Sequence, residues 1–221
     1  MTQKPLEEEQ IQLFFSDIEP LAASKVLVRL ENETLSIGQR ILSQGLQLTV
    51  RGQDKIGIIG PNGVGKSTLL AKLQQLLSAK REISLGFMPQ DYLETLQLDL
   101  SPVEFLSQTG HKEEIQKIQS HLASLNFSYP EMHHQIHSLS GGQQGKLLLL
   151  NLVLRKPNFL LLDEPTRNFS PTSQPEIRKL FANYSGGLVT VSHDRRFLKE
   201  VCTSLYSLTE HGLEVIDLQD L

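Results

Sequence analysis

Gly60-Pro61-Asn62-Gly63-Val64-Gly65-Lys66-Ser67-Thr68 follows the apolar run Ile56-Gly57-Ile58-Ile59 and precedes Leu69-Leu70. A strand, a glycine-rich turn and a helix start in that order are the context of a phosphate-binding loop. The backbone must curl around a polyanion so that successive N–H groups face it, and glycine at 60, 63 and 65 permits that approach. Lys66 then supplies a flexible point charge for the β- and γ-phosphates, Ser67 a hydroxyl for Mg²⁺, and Thr68 lies beside it in the first helical turn. All four fixed positions of the loop pattern are met, by Gly60, Gly65, Lys66 and Ser67.

Working outward, buried strands and helices alternate from 56 to 193, which predicts a doubly wound α/β core with ligands at the carboxyl ends of its strands. Upstream, 25–31, 35–42 and 46–50 read as three short strands of an antiparallel sheet beside that core. A helix is expected from Lys66 to about Ala79, then a strand from Ile83 that emerges at Pro89 and leaves Gln90 at the sheet edge. Ser101-Pro102-Val103-Glu104 opens a helical stretch reaching Asn126, with Ile115, Ile118, Leu122 and Leu125 as its apolar stripe. This section from about 91 to 138, or to about 155 with the apolar helix that follows it, reads as a small helical subdomain inserted in the core.

Leu139-Ser140-Gly141-Gly142-Gln143 leads into the apolar run Leu147 to Leu154. Ser140 can cap that helix while Gly141 and Gly142 leave its amides bare. Phe159-Leu160-Leu161-Leu162 is a buried strand ending at Asp163-Glu164, and Gly187 to Ser192 is another ending at His193. A carboxylate after four apolar residues is costly unless paired, and a magnesium ion shared with Ser67 would compensate Asp163. Glu164, one residue on, is placed to act as base or positioner for an attacking water. Gln90 is a candidate ligand of magnesium or of that water, and His193 a candidate γ-phosphate contact. The bland alternatives are acids capping a strand end, a surface glutamine and a surface histidine.

The phosphates of the chain's own nucleotide are already held at 60–68, so the bare helix start at 140–143 reads as half of a second chain's site. Two copies arranged head to tail would close over each other's nucleotide, giving an ATP-dependent switch.

Composition limits the alternatives. The chain has 221 residues, a net charge of −4, 39% hydrophobic residues and one cysteine, Cys202. That is room for one principal domain, without a global basic footprint for nucleic acid, a disulfide framework or a multi-cysteine metal site. His133, His134 and His137 cluster without a nearby cysteine and read as a solvated loop rather than a metal site. No apolar run approaches the roughly 18 residues of a membrane span and the acidic start is not a signal peptide, so a membrane role would come through another polypeptide. Residues 1–23 read as an appendage whose Ile11, Leu13, Phe14, Phe15 and Ile18 anchor a short helix, or as the remnant of a linker. Residues 24–221 form the main domain. Arg178, Lys179, Arg195, Arg196 and Lys199 make a modest basic cluster suited to RNA phosphates or simply to solvent.

The ordered set of loop 60–68, Gln90, 139–143, 159–166 and His193 resembles the nucleotide-binding domain of the ABC ATPases over roughly residues 24–218. The resemblance implies an α/β P-loop domain with an antiparallel β subdomain and a helical subdomain, hydrolysing Mg·ATP in a head-to-tail pair. It makes Glu164 the catalytic glutamate, Gln90 part of the Q-loop, Ser140 to Gly142 the signature and His193 the switch histidine. The run from Tyr184 to Leu198 resembles the second domain of the cytosolic F subfamily, whose members act at the ribosome and in some cases protect it from antibiotics. The implied partners are a second ABC domain, from an identical chain or a missing N-terminal half, together with the ribosome and its RNA. A transporter's transmembrane subunit is the alternative. The implied location is the cytoplasm.

Some residues depart from the subfamily pattern. Arg167-Asn168-Phe169-Ser170 stands where the pattern has Asn-His-Leu-Asp, Lys146 stands where arginine is common, and no aromatic residue occurs at 35–38 to stack on adenine.

Overall fold

The computed structural model describes residues 13–221. β1 (Val26–Ile37) and β2 (Arg40–Arg51) form an antiparallel two-stranded sheet. A six-stranded sheet is built from β3 (Lys55–Ile59), β4 (Leu85–Met88), β5 (Phe159–Asp163), β6 (Gly187–Val191), β7 (Ser204–Thr209) and β8 (Gly212–Ile216), in the order β4-β5-β6-β3-β7-β8. Only the β7–β8 pair is antiparallel. The helices are α1 (Lys66–Ser78), α2 (Pro102–Leu106), α3 (Lys112–Ser124), α4 (Tyr129–His133), α5 (Gly141–Arg155), α6 (Gln174–Ala182) and α7 (Arg195–Val201).

Register aligns the functional ends of the strands. Met88 pairs with Leu162, Asp163 with Val191, and Val191 with Ile58. The chain therefore leaves β3, β4, β5 and β6 at one edge, within a residue or two of the same level. The period of two along a strand sends Phe159 and Leu161 of β5 to the core beneath α1 and the hairpin. Leu160 and Leu162 enter the opposite core with α5, α6 and α7. Every residue of β5 is buried, as a parallel strand covered on both faces requires.

Three expectations are corrected or refined. The first concerns the upstream strands, which are two long ones rather than three. The 35–42 segment crosses the hairpin, where Gly38 turns the chain with φ 57, and several register shifts had made its pattern look broken.

The second concerns the helical stretch from 101 to 126, which is two helices. Its break is held by one carboxylate: Glu114 accepts from the amides of Gln108, Thr109 and Gly110 and from the hydroxyls of Ser107 and Thr109.

The third concerns the N-terminal segment. Residues 13–20 form no helix, and Ile11 lies outside the described residues. Phe15 packs edge-on to Tyr184 at 4.8 Å and against Phe181 at 6.2 Å, while Asp17, at φ 54, pairs with Lys156 at 2.9 Å. Leu13, Phe15 and Ile18 pack on the core as expected, without the helix, while Phe14 is exposed.

Candidate functional site

The turn after β3 leaves the sheet on Gly60, at φ 149, where a Cβ would lie 2.6 Å from the Leu208 carbonyl. It enters α1 on Gly65, at φ 106, with the Leu42 side chain 3.1 Å from a Cβ position. Both conformations favour glycine, and the second lets the hairpin pack directly on the loop. The Lys66 ammonium spans the loop, donating to the Gly60 carbonyl at 2.8 Å and the Pro61 carbonyl at 2.9 Å. Burial lowers its pKa, while Glu164 and Asp163 favour the charged form.

A cleft of about 740 Å³ opens over this loop. Its lining includes Asn62, Gly63, Gly65, Lys66, Ser67, Thr68, Gln90, Asp163, Glu164 and His193, so residues from the ends of four parallel strands meet there. Gly60, Pro61 and Val64 do not line it: the first two hold Lys66 through their carbonyls, and Val64 is buried in the core beneath α1. The Ser67 hydroxyl donates to Asp163 at 2.9 Å. Burial raises the Asp163 pKa against that bond and the Lys66 charge, as expected of a carboxylate whose proper counter-charge is a cation. A hydroxyl, a buried carboxylate and the Gln90 amide are hard oxygen donors that fit magnesium, which would also relieve the desolvation of Asp163.

Glu164 adopts the left-handed region, φ 51, uncommon outside glycine and costly enough to suggest function. Its amide donates to the Val191 carbonyl at 2.9 Å, while its carboxylate accepts from the His193 amide at 3.2 Å and lies 3.5 Å from the His193 Nε2. Burial raises its pKa, and the His193 amide and ring oppose that rise. A partly desolvated carboxylate facing the loop and steadied by histidine has the chemistry of a water-activating base.

Ser140, Gly142 and Gln143 do not line this cleft. They form the start of α5, where the Ser140 hydroxyl accepts from the Gln143 amide at 3.3 Å and the Gln143 side chain accepts from the Ser140 amide at 3.0 Å. The Gln143 amide group donates to Glu131 at 2.7 Å, so both ends of that side chain are used within the helical section. Gly141 borders an adjoining cavity with Gln90, Asp163 and Arg167.

Sequence reasoning missed several cleft residues. Ile37 and Leu42 give the rim an aliphatic lining where no aromatic ring is present. Thr166 donates to Asp194 at 3.1 Å, and Asp194 caps α7 through the amides of Arg196 and Phe197. Arg167 lines the cleft as well; its place after Asp163-Glu164 was the available clue. The basic cluster loses a member, because Arg178 is buried and pairs with Glu200 at 3.1 Å. Ser170 bonds the hydroxyls of Thr172 and Ser173 ahead of α6. Among the described residues no helix is long and apolar enough to cross a membrane.

Residues 43–167 match the family described as ABC transporter. Probable ATP-binding protein YheS of Escherichia coli (strain K12) is 31% identical over 210 residues, covering 92% of this chain and 33% of that protein. Ribosome protection protein VmlR of Bacillus subtilis (strain 168) is 29% identical over 196 residues, covering 86% of this chain and 36% of that protein. The chain thus spans about a third of the length of these relatives. In fold it is similar to the ATP-binding cassette MJ0796, solved as a dimer bound to ADP and Pi, with a TM-score of 0.70 and 19% identity over 86% of this chain and 98% of that one. With the phosphate loop, Asp163 and Glu164 gathered in one cleft, the chain belongs to the ABC transporter family, as one of its Mg·ATP-dependent P-loop ATPase domains.

Proposed function

We propose that this domain works as one half of a head-to-tail pair, closing on ATP and opening after hydrolysis, within an F-type protein that acts at the ribosome. In this reading Lys66 and the loop amides of 60–68 bind the phosphates, and Ser67, Asp163 and Gln90 hold magnesium. Glu164 removes the proton of the attacking water, and His193 keeps the Glu164 carboxylate aimed. The observation that carries the pairing is the separation of Ser140 and Gly142 from their own chain's cleft, which leaves the start of α5 free to serve a second domain. The partner domain is an identical chain or a further part of the same polypeptide.

The ribosomal assignment is supported by the match to VmlR, by name a ribosome protection protein. It is also supported by the exposed Lys179, Arg195, Arg196 and Lys199, which suit RNA phosphates. A transporter subunit is the competing role. One variant tests all of this. Glu164→Gln is expected to bind ATP, lose turnover by about 10²- to 10⁴-fold and sediment with ribosomes only when ATP is present. Unchanged hydrolysis would remove Glu164 from its role. Copurification of the trapped protein with an integral membrane protein instead of ribosomes would favour the transporter.

A further inference from the structure

Glu164 and Pro165 reverse the chain directly after β5: Glu164 takes φ 51, and the Arg167 amide donates to the Glu164 carbonyl at 3.1 Å. The reversal brings Arg167 back to the edge of the sheet, where it is exposed and lines the cleft with Lys66, Ser67, Asp163 and Glu164. Arg167 also lines the adjoining cavity of about 750 Å³, together with Gln90 and Gly141. It therefore stands between the two, close enough for its charge to act on both carboxyl groups.

The charge balance of the cleft gives this position its meaning. Among the described lining residues, Asp163, Glu164 and Asp194 bring negative charge, and Lys66 and Arg167 are the permanent cations. His193 joins them only when protonated. A triphosphate carries more charge than a diphosphate, and one magnesium ion does not neutralise it. Beside three carboxylates, the loop amides and a single lysine leave the terminal phosphate with less cationic pairing than its charge calls for. Arginine stays charged at any relevant pH, and its planar fork matches phosphate oxygens.

We infer that Arg167 is a second cationic ligand of the terminal phosphate, through which the cleft tells a nucleoside triphosphate from a diphosphate. The inference rests on the proposal that this cleft holds Mg·ATP. It differs from a role in which Arg167 merely screens Asp163 and Glu164 in the empty protein, which would leave the two nucleotides equally affected.

Calorimetric titration of the full chain, with magnesium, uses ADP and the β,γ-imido analogue of ATP as probes. Arg167→Asn and Arg167→Ala are expected to weaken binding of the analogue about tenfold, the scale of one charge-assisted hydrogen bond, and to leave ADP within about twofold. Arg167→Lys should recover part of the loss, since it keeps the charge and loses the fork. Equal losses for both nucleotides, or no loss for either, would overturn the inference while leaving the ATP site intact. A Lys66→Ala control that binds both probes as well as the unaltered chain would instead overturn the ATP site, and the role of Arg167 with it.

Discussion

The helical section and the phosphate loop begin their helices in opposite ways. Ser101 and Glu104 satisfy each other's amides at the start of α2, and Ser140 and Gln143 do so at α5. At α4 the Glu131 carboxylate accepts from the amide of Ser128. By contrast α1 starts on left-handed Gly65. Among the described α-helices it alone has neither a side-chain cap nor an acid in its first turn. Bare amides at a helix start attract anions. The starts of α2, α4 and α5 are thus satisfied by their own side chains, whereas the loop before α1 is open to acceptors from a phosphate. The α5 start lies between these cases, because its cap is satisfied while its glycine pair leaves the surface open to a neighbour.

The largest effect expected of this contrast is at Lys66. Lys66→Ala should weaken nucleotide binding about a hundredfold, the upper range for a charged hydrogen-bonding group, and abolish the rise in Tm on adding Mg·ATP. Affinity unchanged by calorimetry would mean that the α1 start is not the phosphate site.

The next effect separates two caps of the same kind. Ser101→Ala and Ser140→Ala should each cost about 1 kcal/mol and lower Tm by about 2–4 °C. Only Ser140→Ala should also reduce ATP turnover, by an amount that grows as the domain pair is saturated. Equal turnover in the two variants would place the α5 start with the closed helical section and break the pairing scheme.

The smallest effect is confined to the loop at 107–110. Hydrogen bonds from the Gln108 amide first, then from the hydroxyl and amide of Thr109 and the Ser107 hydroxyl, hold the Glu114 carboxyl well below its ordinary value of 4.5, at about 2. Because the folded-state pKa is depressed, the stabilising contribution is complete above 4.5 and is lost as pH falls toward 2. Glu114→Gln should speed hydrogen exchange of the amides of Gln108, Thr109 and Gly110 at neutral pH, with nucleotide affinity unaltered. The difference between variant and unaltered chain should vanish near pH 2. A variant with unchanged exchange would show that the loop is held by its own turns.

What could be read in the sequence follows from how local each cause is. The runs ending at Ile59, Asp163 and Val191 announce buried strands by themselves, and a phosphate loop is legible because its spacing is its mechanism. The turn at Gly38 was hidden because alternation marks strands without marking where the chain reverses. Arg178 looked like part of an RNA-facing patch because a sequence shows charge and not the Glu200 that neutralises it. The place of Arg167 depends on the left-handed backbone of Glu164, which no residue type announces. Phe15 depends on Phe181 and Tyr184, far along the chain.

Strand β5 meets the cleft only through its final residue, yet it governs the cleft's dimensions. Sliding it by a single position would shift Asp163 by about 3.3 Å and exchange the sides occupied by Phe159, Leu161 and by Leu160, Leu162. The Phe159 ring, larger than the leucines whose space it would enter, opposes that slip. The placement of the Asp163 carboxylate is therefore machined by four greasy side chains that never meet the cleft.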